Sequence, residues 1–222
     1  MSSPFGTRKS TGVWCRIAGG KICRNAEETT PGAVKVEKQK NGQGTGEFRW
    51  ELHDDTIEGR IVGFERKTQT FGNEESTTLI VRLFHSESGT MVNVQLTEGG
   101  RYWRAFMYRL PNVDTSRDVV IAPYDFIPQG ETKPKIGLTI KQGADKVPSR
   151  FSREENGGMP EAVSVTFKGK DRLDFTRQDE WLNKVVLAPV SEKVAFASNE
   201  AASAEPVSTE KDSTSDDDDL PF

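Results

Sequence analysis

Three alternating apolar segments, one short helical stretch and two further strand-like segments constrain this chain more than anything else in it. Residues 56–66, 76–85 and 90–96 place apolar side chains at every second position, the period of a strand with one buried face. On that alternation Ile57 and Ile61, then Leu79, Val81 and Leu83, then Val92, Val94 and Leu96 belong to a core. Gly59 and Gly63 interrupt the first strand, and interior strand glycines mark a bulge or a sharp bend. Residues 101–110 switch to helical spacing, with Trp103, Phe106, Met107 and Leu110 as the apolar side, and Pro111 ends the run. Residues 119–122 and 136–141 return to strand pattern across a loop holding Pro123, Pro128 and Pro134.

Three antiparallel strands, a helix and two strands follow the order of a five-stranded oligonucleotide-binding barrel, the OB-fold. A long, bent first strand fits it, because that strand must serve both sheets. The fold class expected is therefore mainly β, with a helix between barrel strands three and four. Extra N-terminal strands at residues 12–18 and 21–26 flank a Gly19-Gly20 turn, and residues 34–38 and 48–52 suggest a second pair. Residues 67–75 read as a polar loop. Residues 163–167 and 172–175 suggest a hairpin. A closing helix is expected over 176–188, with Thr176 and Asp179 at its start, Trp181, Leu182, Val185 and Val186 as its apolar side, and Pro189 as its stop. From Ser191 onward Ala, Ser, Glu, Thr and Asp dominate, too little apolar surface to offset ordering entropy. The division expected is an OB-fold domain with its N-terminal extension over residues 1–190, 1–11 being a loose arm, and a disordered acidic tail over 191–222.

Charge follows the same division. The net charge is -4. Residues 191–222 hold nine acids and two bases, or -7, so residues 1–190 carry 28 bases and 25 acids, or +3. A mildly basic body permits a polyanionic partner without requiring one. The two cysteines, Cys15 and Cys23, do not face each other in the simplest hairpin register; free thiols in a reducing, cytoplasmic setting are the expectation, with a disulfide as the alternative. No apolar run suits a membrane span, and residues 1–11 lack a signal-peptide core. His53-Asp54-Asp55 lacks the further Cys or His of a metal site at normal spacing. No phosphate loop, nucleophile elbow or nuclease carboxylate set is present either, so no enzyme activity, cofactor or metal is expected.

Single strands bind basic grooves lined with aromatic platforms. In an OB barrel the face of strands two and three, with the one-to-two and four-to-five loops, is the usual site. Alternation turns Arg60, Phe64 and Arg66 outward on strand one, Arg82 and Phe84 on strand two, and Asn93 and Gln95 on strand three. Lys67 and Phe71 sit in the first loop; Tyr124, Phe126, Lys133 and Lys135 sit in the later one. These thirteen residues are the candidate DNA contacts. Trp14 and Trp50, beside Arg16 and Arg49, either extend the groove or pack the N-terminal strands, with packing preferred.

The chain ends Asp216, Asp217, Asp218, Asp219, Leu220, Pro221, Phe222. Phe222 offers a ring and an α-carboxylate to one partner pocket, Pro221 limits the backbone, and the Asp run favours basic surfaces. This tip resembles the end of bacterial single-stranded DNA-binding proteins and of some phage counterparts, in which a barrel is followed by a disordered linker and an acidic tip. The resemblance implies sequence-tolerant binding that protects exposed strands, and recruitment of replication, recombination or repair proteins through the tip. It implies a cytoplasmic location, in a bacterial cell or a phage-infected host. The extra N-terminal strands and the closing helix depart from the family's compact plan, which points to a phage-encoded or divergent member. The alternative is a protein-only replisome adaptor with an OB-type barrel that binds no DNA.

Overall fold

A computed structural model describes residues 12–40, 43–71, 74–151, 155–167 and 169–203. The N-terminal arm and the acidic tip both lie outside them. The chain begins with β1 (Val13–Ala18), β2 (Lys21–Ala26), β3 (Val34–Lys40) and β4 (Gln43–Asp54). The central set follows: β5 (Ile57–Phe71), β6 (Glu74–His85), β7 (Thr90–Thr97), helix α1 (Arg101–Met107), β8 (Asp118–Phe126) and β9 (Lys135–Gln142). Short β10 (Asp145–Lys146), the β11 (Val163–Phe167) and β12 (Lys170–Asp174) hairpin, and helices α2 (Thr176–Trp181) and α3 (Ala188–Ser203) complete it. A π-helical stretch, Leu182–Leu187, joins the last two helices.

The protein is mainly β, and ten strands form one open mixed sheet ordered β10-β9-β8-β5-β6-β7-β1-β2-β4-β3. Within it β8-β5-β6-β7 has the spatial order 4-1-2-3 of a Greek key. The expected closed barrel is not what forms. The free edge of β7 is taken by β1, which pairs with it in parallel through Val13–Val92 and Cys15–Val94. That edge is therefore not open to β9, and the sheet runs on through β2, β4 and β3. It still curls: the β1–β2 turn reaches β8, where a Cβ on Gly20 would lie 2.6 Å from the Asp125 amide nitrogen, and the Gly20 N–H donates to the Tyr102 hydroxyl at 2.8 Å.

The core follows the alternation. Ile61, Leu79, Val81, Leu83, Val94 and Leu96 are buried on the concave face, where Trp103, Phe106, Met107 and Leu110 of the α1 region fill it. β8 pairs with β5 only over residues 57–60. The C-terminal helices pack beside the remainder of β5 and bury Leu182, Val186, Leu187 and Val194 in the same core, covering an edge that would otherwise stay open. Arg104 anchors them through paired bonds of 2.8 and 2.7 Å to Asp179, while the Tyr108 hydroxyl donates to Gln178 at 2.9 Å.

Three expectations need correction. The polar loop over 67–75 is largely strand, since β5 runs to Phe71 and β6 starts at Glu74. Pro189 does not stop the helix. The wider turn of Leu182–Leu187 precedes it, where a regular α-turn would set the ring against the Val185 carbonyl. The disordered tail expected from Ser191 does not begin there, because α3 continues to Ser203 and buries Val194.

Candidate nucleic-acid interface

The convex face of β5, β6, β7, β1, β2 and β4 carries the chemistry. Pairing sets two rows across it. Gly63, Arg82, Asn93 and Trp14 are successive cross-strand partners. Beside them run Glu65, Ile80, Gln95, Arg16, Cys23 and His53. Strand alternation puts every member of a row on the same side.

Trp14 ends the first row and is 37% exposed. The Lys67 ammonium sits 5.4 Å from the centroid of its ring and 3.2 Å from Glu65. Glu65 also pairs with Arg82. Burial alone would raise the Glu65 carboxyl, but the hydrogen bonds and charges of Lys67 and Arg82 outweigh it and hold the group below the usual range. One carboxylate between two cations leaves a single positive charge beside Trp14. Trp14, Arg82, Met91 and Asn93 line an open depression of about 680 Å³.

Glu51 organises the second row. It is fully buried, accepts two bonds from Arg16 at 2.7 and 2.9 Å, and touches Arg49 and His53. Burial pushes its pKa up, but Arg16 and His53 as bonded partners and the charges of Arg16 and Arg49 prevail, and the pKa is lowered. Ligand atoms of Cys23, Glu51 and His53 lie within 4.8 Å of one another. The donor set suits a metal poorly. The carboxylate is already committed to two arginines whose charges repel a dication, and burial raises the pKa of the Cys23 thiol, against the thiolate a metal requires. Both cysteines are free and buried, and burial pushes Cys15 up to about 11.

The structure gathers some of the expected contacts and disperses others. Lys67, Arg82, Asn93 and Gln95 share the convex face, although Asn93 is largely covered. Arg60 and Phe84, a cross-strand pair, share it too and border a neighbouring cavity. Phe64 and Arg66 do not. The pairing slips between Ile61 and Gly63, so Phe64 pairs with Val81 and Arg66 with Leu79 on the concave side. One bulged residue, Val62, reverses the alternation of the rest of β5. Phe64 packs on Phe106 with ring centroids 6.4 Å apart. Arg66 is held by Glu98 at 2.8 Å, which also accepts from Asn183 of the C-terminal helical run. Tyr124, Phe126, Lys133 and Lys135 form a second patch on the β8–β9 hairpin. Its rings are 5.9 Å apart, and Lys135 is paired with Glu131 at 2.8 Å. The Phe71 side chain and all seven tip residues lie outside the described residues.

Trp14, for which packing of the N-terminal strands was the preferred expectation, is partly exposed on this face. Its alternation with Arg16 put both on one face, but only the parallel pairing of β1 with β7 brings that face beside Arg82. No protein-family model matches the chain, and neither a curated protein nor a solved structure does. Among the described residues no helix is long and apolar enough to cross a membrane.

Proposed function

We propose that this protein binds single-stranded DNA without strong sequence preference on the convex face around Trp14. The observation that carries the proposal is an exposed indole under a Lys67 ammonium, beside Arg82, on an open sheet face. Ring and cation together meet the two demands of a single strand, a surface to stack on and charge for the phosphates. A base stacking on Trp14 displaces Lys67 from the ring and leaves its ammonium to a phosphate. Glu65 keeps Lys67 and Arg82 close to the site before the strand arrives.

The scaffold is proposed as an OB-type Greek key whose closing position β1 has taken. The helix between its third and fourth strands and the 4-1-2-3 order of those strands support that assignment. The acidic tip, Asp216 to Phe222, is proposed to recruit replication or repair proteins to the coated strand, on the strength of its resemblance to the tips of bacterial single-stranded DNA-binding proteins.

Alanine substitution tests the face. Trp14→Ala should weaken binding of a labelled oligo-dT about tenfold, the loss of one stacked base. Arg82→Ala should weaken it and also lower the salt slope by about 0.7, one phosphate contact on a single strand. If both variants bind like the wild type, the strand does not lie on this face.

A further inference from the structure

A second cavity adjoins the Trp14 depression and shares Met91 with it. It encloses about 600 Å³, within the range of small-ligand pockets (about 300–1,000 Å³). Two groups of residues build it. Val62, Phe84, Met91 and Val194 supply apolar wall, and Val62 is the residue that the β5 bulge adds. Arg60 and Lys193 supply positive charge from β5 and α3. Among the described residues neither has an ion-pair partner, unlike Lys67 and Arg82.

Asp114, Thr115 and Ser116 form the remaining rim, and Ile61 adds to the apolar wall. The Asp114 Oδ1 accepts from the amide and hydroxyl of Ser116 at 3.0 and 2.6 Å. Those bonds hold its carboxyl below the usual range, with Lys193 contributing. The carboxylate therefore stays ionised at neutral pH and offers an acceptor on the same rim as the two cations.

We infer that this cavity receives one nucleotide of the bound strand, its base against Phe84 and Met91 and its phosphate between Arg60 and Lys193. The inference rests on the single-strand reading above. An apolar ligand alone would leave Arg60 and Lys193 with only the Asp114 carboxylate, one negative charge against two positive, and a phosphate alone would leave the apolar wall unused. A nucleotide satisfies both, and the shared Met91 sets the pocket beside the Trp14 depression. The C-terminal helix, through Lys193 and Val194, then belongs to the binding surface as well as to the core.

The test separates occupancy of the pocket from charge attraction near it. Lys193 is exposed, so Lys193→Ala should fold normally, and melting followed by circular dichroism checks this. Thr115→Trp fills the cavity and changes no charge. Titrating the full-length protein with labelled oligo-dT, Lys193→Ala should bind about tenfold more weakly and lower the salt slope by about 0.7. Thr115→Trp should also bind several-fold more weakly, with the salt slope unchanged. Wild-type affinity in Thr115→Trp would overturn the inference, whatever Lys193→Ala does, because a blocked pocket would not matter. If pocket variants match the wild type while Trp14→Ala weakens binding, the inference falls and the single-strand reading stands. If the wild type itself binds no oligonucleotide, the reading fails first.

Discussion

At the residue scale, Glu51 couples stability to pH. Its pKa is lowered on folding, so its contribution is full above the unfolded value of about 4.3 and disappears as pH falls through the lower folded value. Unfolding monitored against pH should show stability falling below about pH 4–5. Glu51→Gln should cost about 3 kcal/mol at pH 7, because Arg16 and Arg49 lose their counter-charge in a half-buried site. It should also flatten the acid limb; an unchanged limb would show that other carboxylates control it. Core residues were legible one by one, since Leu79, Val81 and Leu83 need only alternation. Phe64 was not, because a single bulged residue two positions earlier turned it inward. Glu51 gave no signal of its own, as its partners come from β1 and from its own strand and only the β1–β2–β4 register brings them together.

Elements were legible wherever local pattern decides them. The three alternating strands, the helix beginning at Arg101 and the Gly19-Gly20 turn all follow from side-chain period and turn chemistry, but the helix ends at Met107 and Pro111 lies in a separate 3-10 turn, Leu110–Asn112. The parallel pairing of β1 with β7 has no local signal, because it joins strands about eighty residues apart, and it decides both the open sheet and the placement of Trp14. The curl of that sheet is tested at its turn. Gly19 and Gly20 both have positive φ, 55° and 72°, but only Gly20 is crowded, against the β8 backbone. Gly19→Ala should cost about 1 kcal/mol, the penalty of a left-handed backbone conformation. Gly20→Ala should cost at least about 1 kcal/mol more through the Asp125 clash. Chemical denaturation of the two variants measures the difference, and equal costs would mean that the turn does not press on β8.

For the whole molecule, the division of charge was readable from composition, while the site depended on tertiary register. On the proposed reading, the body of +3 and the tail of -7 over residues 191–222 engage different partners. A truncation lacking residues 216–222 should bind oligo-dT as well as the full chain or more tightly, since an acidic competitor is gone. It should lose replication and repair proteins identified by mass spectrometry in pull-downs, and equal recovery by the truncated protein would remove the recruitment role. The central claim is single-strand binding, and its most direct measurement is fluorescence anisotropy of a labelled oligo-dT titrated with full-length protein across a salt series. With Arg60, Lys67, Arg82 and Lys193 available to phosphates, affinity should fall with log salt at a slope of about -2 to -3. A protein that leaves the oligonucleotide free at low salt would contradict the account and favour an adaptor that binds only other proteins.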